Sequence, residues 1–322
     1  MSALAQEDEK KKTSDNNNNN NNINDTSPPD GIPFDYEIHV ASPIPSDSQK
    51  KIESELLQKI EQLETWLNIE DHLIAKEKSS NGEDGVDFVK KRVKSDLQRT
   101  LRARKFDVNK SLKLAETNLK YLLEDKPFLI TPGQIEKEAL TGKTRIGGFD
   151  RHGRPVVVLD NTVENTNDPV EQMRFLMFNM ELSIKSMISP VEKHVVFIHL
   201  ENFSLFNAPS ISVTKKTIEI LASHYCERLG RCILWQPPAY FTVFLAAVSY
   251  VIDPITRGKL VMIRGDYSEG TDNDKLMKSL IGGKWKEIVG VDQPKFGDTC
   301  SPGYNHEVYW KNIEINEKII VS

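Results

Sequence analysis

Apolar positions recur at two different spacings along this chain, and the change from one to the other divides it. From Ser46 the spacing is helical: Ile52, Leu56, Ile60, Leu63 and Leu67 fall on one face. After a Ser/Gly/Asp-rich loop over 79–85, Val86, Val89, Val93, Leu97 and Leu101 make a second stripe. Asp107 is placed to cap a third helix striped by Val108, Leu112, Ala115, Leu119 and Leu122, with Pro127 beyond its end. Short apolar runs then begin. A hairpin-type turn is expected over 147–153, and Pro155 to Asp160 and His194 to Leu200 read as strands. Between them Asp168-Pro169-Val170-Glu171 carries cap, N1 proline and acidic N3 residue for a helix running to about Met187. That helix holds more Met and Phe than one buried stripe needs, a composition that suits either plain core or a cavity for flexible chains.

Further along, Ser210 is expected to cap a helix that ends near Glu227-Arg228, stopped by Gly230. Arg231 to Gln236 is a buried-strand run, Pro237-Pro238 breaks the chain, and Tyr240 to Ile252 is apolar almost all round without a single charge. Thirteen helical residues at 1.5 Å rise span roughly 20 Å, and a bilayer core needs about 30 Å, so this segment does not cross a membrane. Two explanations stay open: a core helix, or one with protein on one side and an apolar ligand or lipid on the other. Asp253-Pro254 ends it, and Lys259 to Ile263 reads as another strand. Helices first, then strands alternating with helices, predict an α/β fold: a helical N-terminal module followed by a mostly parallel sheet. Lys275 to Val289 is expected to be helical with a break at Gly282-Gly283, and the aromatic-rich segment 301–310 to pack on the domain. The expected organisation is an Asn-rich, Pro-punctuated tail over 1–48, the helical module over 49–127, the sheet domain over 128–290 and a C-terminal segment over 291–322.

The formal net charge of −5 argues against a general nucleic-acid binder and leaves local patches open. One patch lies on the second helix, where Lys90, Lys91, Arg92, Lys94, Arg99 and Arg102 oppose Asp87 and Asp96. It is either a solvated surface or an attraction to anionic membrane, worth about 1 kcal/mol per basic residue near the lipid. Cys226, Cys232 and Cys300 are too few for a disulfide scaffold and lack CxxC spacing. No apolar h-region follows Met1–Lys12, so the expectation is a cytoplasmic protein with reduced thiols. Ser2 is not a myristoylation glycine and the last residues hold no prenylation box, so membrane contact is expected to be reversible.

Several motifs together resemble the CRAL-TRIO lipid-binding domain, and within it the phosphatidylinositol-transfer branch. They are Leu101-Arg-Ala-Arg-Lys-Phe-Asp-Val108, Asp150-x-x-Gly153-Arg-Pro155, Glu227-Arg228-Leu229-Gly230, Pro238-x-x-Phe241 and Asp253-Pro-x-Thr256-x-x-Lys259. Each is weak alone; they occur in the family's order and cover roughly 90–265. The resemblance implies a sheet-floored lipid pocket closed by a mobile gate helix, with no cofactor and no metal. It implies an inositol head-group site at Arg104, Lys105, Glu227, Arg228, Thr256 and Lys259. Gate and acyl-chain contacts would be Phe241, Phe244, Leu245, Val248, Val251 and Ile252. The partners implied are a phospholipid ligand and, transiently, an anionic membrane surface, for a monomeric protein. Two departures stand out. The Trp-Arg pair that often closes the helical module is Tyr121-Leu122 here. In His199-Leu-Glu-Asn-Phe-Ser204-Leu-Phe206 only Ser204 keeps the register of the family's phosphatidylcholine segment, so Ser204 is the one candidate for a second lipid.

Other chemistry fits less well. Thr141-Gly142-Lys143-Thr144 lacks the first glycine and the preceding strand of a phosphate-binding loop. His194 and His199 are not at zinc-helix spacing. There is no GxSxG elbow. His224 and Cys226 leave a nucleophilic dyad, and so a hydrolase, as a remote alternative; a carrier of a sterol or retinoid-like ligand is the nearer one.

Overall fold

The computed structural model describes residues 44–73, 84–201, 203–204 and 211–321. The expected N-terminal tail up to residue 43, most of the 79–85 loop, the Ser210 cap and Phe206 lie outside the described residues.

The helical module opens with α1 (Asp47–Glu61), started by a capping box in which the Ser46 and Gln49 side chains each take the other's backbone N–H. Two single turns follow, α2 (Glu64–Leu67) and α3 (Ile69–His72). The expected second helix is two, α4 (Gly85–Ser95) and α5 (Leu97–Ala103), meeting at Asp96. Asp107 caps α6 (Val108–Glu124) as its sequence position requires. These helices enclose a core of their own around Leu56, Ile60, Val89, Leu101 and Leu119. Leu67, counted above in the first stripe, is exposed instead, because the helix stops at Glu61 and the register is lost.

A short helix, α7 (Glu136–Ala139), leads into the sheet. Among the described residues five strands form it in the order of the chain: β1 (Thr144–Phe149), β2 (Pro155–Asp160), β3 (His194–His199), β4 (Leu229–Trp235) and β5 (Leu260–Ile263). β1 is antiparallel to β2, and the other pairs are parallel; α8 (Pro169–Lys185) links β2 to β3 and α9 (Ile211–His224) links β3 to β4. After β4 come α10 (Phe241–Val248), a 3-10 turn over 249–251 and α11 (Pro254–Gly258). Beyond β5 are α12 (Asp272–Leu280), α13 (Trp285–Val289) and α14 (His306–Val321).

Two expected boundaries move. The helix before β4 stops at His224, and Gly230 lies within β4 rather than ending a helix. The chain turns at Glu227, which takes a positive φ of 59°. Gly230 is needed for space: a Cβ there would sit 2.8 Å from an Arg154 guanidinium nitrogen and 3.2 Å from the His194 carbonyl oxygen. The apolar run after Pro237-Pro238 is also less helical than its length suggests, eight residues of α-helix and then the 3-10 turn.

The two faces of the sheet differ. On one, Val156, Val158, Val195, Phe197, Ile233, Trp235, Val261 and Ile263 are buried against α12 and α13. Val196, Ile198, Leu260 and Met262 point the other way and are only half-buried, although α10 lies over them. The C-terminal segment closes the β1 edge. The Tyr309 hydroxyl accepts from the Ile146 N–H at 3.0 Å, the Tyr304 hydroxyl donates to the Ala139 carbonyl at 2.8 Å, and Trp310 packs on Phe178 of α8.

Candidate functional site

The half-buried face is the apolar part of the site. Leu200 and Phe203, just past β3, and Phe241, Phe244 and Leu245 on α10 pack over Val196, Ile198, Cys232, Leu234, Leu260 and Met262. Toward β2 the same face meets Leu176, Met177, Met180 and Ile184 of α8. Side chains that alternate inward from central strands of a covered sheet are normally fully buried. Their partial exposure here marks space between sheet and helices that apolar side chains line and do not fill. Phe203 is the hub of the cover, its ring edge-on to Phe241 at 5.0 Å and tilted against Phe244 at 5.4 Å, while its carbonyl accepts from the Tyr240 hydroxyl.

Of the expected gate residues, Phe241 and Val248 are buried, and Phe244, Leu245, Val251 and Ile252 are half-buried. The outward side carries Val243 and Tyr250, 70% and 68% exposed, with Tyr240 and Ile255 beside them. Lys215 of α9 places its ammonium over the Tyr250 ring.

At the amino-terminal edge of the parallel strands the chemistry changes from apolar to charged. Lys259 immediately precedes β5 and Glu227 lies two residues before β4. Lys259 is 4% exposed; its ammonium donates to the Leu229 carbonyl at 2.9 Å, and among the described residues no carboxylate pairs with it. Arg228 is also buried. It donates to the Glu192 carbonyl at 3.0 Å and to Asp96 at 3.3 Å, while its Nε has no acceptor among the described residues. Burial, followed by the neighbouring Arg99 charge, pushes the Arg228 guanidinium down from its ordinary value. His194, at the start of β3, is held neutral, depressed to about 3 by burial and by the charges of Arg228, Lys259 and Arg99. Its Nδ1 is 3.0 Å from the Ser183 hydroxyl. This edge therefore holds a surplus of positive charge, and a buried charge without a partner is costly.

Arg104 and Glu227 approach this edge from opposite elements, both close enough to Cys226 to act on its thiol. Lys105 is exposed on the turn after α5, where Lys105 and Phe106 have consecutive positive φ values of 52° and 61°. Phe106 anchors that turn in the helical core, so the lysine is presented from a rigid loop. Thr256 is half-buried on α11, one turn before Lys259. Ser204 lies elsewhere, beyond the carboxyl end of β3, and the six residues of that strand span about 20 Å. Ser204 and Lys259 cannot serve one head group.

The basic face of the expected second helix needs correction. Arg92, Arg99 and Arg102 point inward. Arg92 makes a bidentate pair with Glu181 of α8 at 3.1 and 3.3 Å and binds Asp96 at 3.0 Å. Arg99 is 2% exposed; it pairs with Asp96 and donates to the Cys226 carbonyl. Arg102 reaches Glu192 at 2.8 Å. The reason is electrostatic: α8 and the α9–β4 turn offer carboxylates and carbonyls that a guanidinium can satisfy in two directions. Lys91 and Lys94 stay exposed. The contacts of Asp96 and Arg99 with the turn before β4 were not foreseen from the sequence. The signal was there in the 92, 96, 99 spacing, which stacks the three on one face.

His224 and Cys226 are not arranged as a nucleophilic pair. The His224 ring stacks on Tyr121 with centroids 3.8 Å apart, and its Nδ1 faces Asn118 Oδ1 at 2.9 Å. Burial depresses this imidazole to about 4 and raises the Cys226 thiol. Both shifts oppose a thiolate–imidazolium pair.

A mostly parallel sheet with one face half-buried beneath α8 and α10, next to a cationic strand edge, defines an α/β domain with an apolar and a charged side to its site. Residues 140–283 match the CRAL/TRIO domain family, so the chain carries a domain of that family there. It is 32% identical over 219 residues, 67% of its length, to the CRAL-TRIO domain-containing protein C23B6.04c of Schizosaccharomyces pombe. To the phosphatidylinositol transfer protein PDR17 of Saccharomyces cerevisiae it is 27% identical over 230 residues, again 67% of its length. The matches span 20% and 60% of those two relatives. The crystal structure of Sfh5 superposes with a TM-score of 0.56 at 14% identity, over 86% of this chain and all of that one, a likeness of fold. No described helix is long and apolar enough to cross a membrane.

Proposed function

We propose that the chain takes up a single phospholipid, phosphatidylinositol, and transfers or presents it between membranes. The observation that carries this reading is Lys259: buried, with no carboxylate partner among the described residues, and next to Leu229 and Leu260 of the half-buried apolar cluster. A phosphodiester is the kind of ligand that would supply the missing anion. Acyl chains contribute about 0.8 kcal/mol for each methylene kept from water, but leaving a bilayer for an equally apolar pocket is nearly neutral. The head group must then set the choice of lipid. Lys259 offers a point charge and further N–H donors, and the Arg228 Nε is a buried donor with no acceptor among the described residues. Glu227 would accept from ring hydroxyls, Thr256 would add a hydroxyl, and Arg104 and Lys105 would complete the rim from the module side. The relative named as a phosphatidylinositol transfer protein supports the same choice.

In this reading the protein is a carrier, not an enzyme, and works as a monomer in the cytoplasm. α10 is its gate. The outward Val243 and Tyr250 would meet the bilayer while Phe244 and Leu245 cover the chains, with Lys91, Lys94 and Lys105 giving weak attraction to anionic lipid. Mass spectrometry of lipids that co-purify with the full chain tests it, together with transfer of labelled phosphatidylinositol between vesicles. Phosphatidylinositol as the main co-purifying lipid, with measurable transfer, is the expected result. A sterol or other lipid lacking phosphate in its place would overturn it.

A further inference from the structure

Glu227 occupies a backbone conformation that a glutamate rarely adopts, and Arg99 of the helical module binds the carbonyl of the residue before it. The Arg228 N–H donates to the Tyr225 carbonyl at 3.2 Å, closing a four-residue turn with Cys226 and Glu227 at its centre. A positive φ at the third position of such a turn is normally left to glycine or asparagine. A flip of the Cys226–Glu227 peptide plane would relieve it, and would swing the Cys226 carbonyl to the opposite side of the turn. That carbonyl is the acceptor for Arg99. Arg99 is itself fixed, fully buried and held at Asp96 by Nε at 3.2 Å and Nη2 at 2.5 Å. Asp96 in turn receives Arg92 at 3.0 Å and Arg228 at 3.3 Å, so the residues on either side of Glu227 are tied to one carboxylate at the α4–α5 junction.

We propose that Arg99 is a positioning residue for head-group recognition: by binding the Cys226 carbonyl it blocks the peptide flip and keeps the Glu227 carboxylate aimed at the ligand. The helical module is thereby a working part of the lipid site. Strain kept at one residue by surrounding contacts that over-determine it is a feature of binding sites. The inference rests on the reading of Glu227 as a head-group residue. It adds that the reach of Glu227 is set from a different element, through an Arg99–Cys226 contact that spans 127 residues of sequence.

A double-mutant cycle on the full chain tests it. Loading of labelled phosphatidylinositol, and separately of labelled phosphatidylcholine, is titrated from vesicles for wild type, Arg99→Lys, Glu227→Gln and the double variant. Lysine keeps a charge beside Asp96 and cannot reach both that carboxylate and the Cys226 carbonyl. Arg99→Lys should weaken phosphatidylinositol loading by about tenfold, by less than about twofold when Glu227→Gln is already present, and leave phosphatidylcholine loading unchanged. An equal loss in both backgrounds, or a parallel loss of phosphatidylcholine, would make Arg99 merely structural. Should Arg99→Lys not fold, Asp96→Asn, which frees Arg99 without removing it, takes its place in the same cycle with the same expected and overturning outcomes. If Glu227→Gln alone leaves phosphatidylinositol loading at wild-type level, the head-group reading itself fails. That result is distinct from failure of Arg99, in which Glu227→Gln loses loading and Arg99→Lys does not.

Discussion

The Lys259 ammonium lies 2.9 Å from the Leu229 carbonyl oxygen, bridging the start of β5 to the start of β4, and that carbonyl is its hydrogen-bond acceptor. A carbonyl offsets only part of the cost of burying an ammonium. Lys259→Met removes the charge and keeps most of the apolar stem. Two opposite effects are expected: a melting temperature of the lipid-free protein equal to or above wild type, and phosphatidylinositol affinity lower by ten- to a hundredfold, the value of a charge-assisted hydrogen bond of about 1.5–3 kcal/mol. Lys105→Ala in addition should abolish transfer, with the fold retained. A thermal melt and a vesicle transfer assay on the same preparations decide it. A variant that melts early and transfers normally would make Lys259 a structural residue.

Arg92 and Glu181 join the helical module to the sheet domain through a bidentate pair with both partners largely removed from solvent. Glu181 and Asp96 together outweigh the effect of burial and hold the Arg92 guanidinium above its ordinary value. Breaking a buried pair from one side leaves a charge uncompensated. Glu181→Gln should therefore destabilise the chain by about 3–5 kcal/mol, and salt should change the loss little because the pair is shielded from counterions. Chemical denaturation at low and high salt is the measurement. The exposed Lys94–Glu61 pair, 3.7 Å apart, serves as the control, and Lys94→Ala should cost less than about 1 kcal/mol.

His199 gives the chain a measurable pH response. It ends β3 with Nδ1 3.4 Å from Asp160 and Nε2 3.2 Å from Glu201. Burial alone would lower its imidazole; the two carboxylates outweigh that and hold it above its ordinary value. The ring is thus protonated more readily in the folded state than in the unfolded one. Its contribution is fully present below about pH 6.5, the unfolded value, and is lost as pH rises through the folded value. His194 and His224, depressed by burial, act in the opposite direction, so the total stability curve mixes the three. The gap in melting temperature between wild type and His199→Gln isolates the one ring. It should be widest near about pH 5.5 and close as the solution becomes alkaline. A gap that does not vary with pH would mean that His199 stays neutral.

Much of this architecture was legible because it rests on local signals. Asp107 and Asp168 each cap the helix their position implies, and the strand runs lie within two residues of their places. Asp253, read only as a helix end, instead caps α11. What was not legible depends on contacts distant in sequence. Arg99 reads as a surface cation until its partners, Asp96 on the next turn and the Cys226 carbonyl, are brought together. The end of α9 was misplaced because Gly230 looks like a helix stop, whereas it is glycine to let Arg154 and the β3 backbone pass close to β4. The half-buried face of the sheet has no sequence signature either. Val196 and Ile198 are the residue types of any core strand, and only the packing of α8 and α10 leaves them partly uncovered.

The two sides of α10 should respond to charge in different ways. Val243 is 70% exposed, whereas Val248 is 2% exposed on the same helix. Val243→Asp puts a carboxylate in water, where it costs the folded protein almost nothing, but must then be dehydrated if this face enters the lipid interface. The expected result is an unchanged melting temperature with weaker vesicle co-sedimentation and slower lipid exchange. Val248→Asp buries an unpaired charge and should cost on the order of 3 kcal/mol, lowering the melting temperature whatever the helix does at membranes. Leu245→Asp falls between them: half-buried against the sheet, it should impair lipid loading more than docking. Circular dichroism melts, co-sedimentation and transfer on the three variants separate these effects. Wild-type docking by a folded Val243→Asp protein would remove the outer face of α10 from the membrane contact. Loss of docking only in step with loss of fold would make the helix ordinary core.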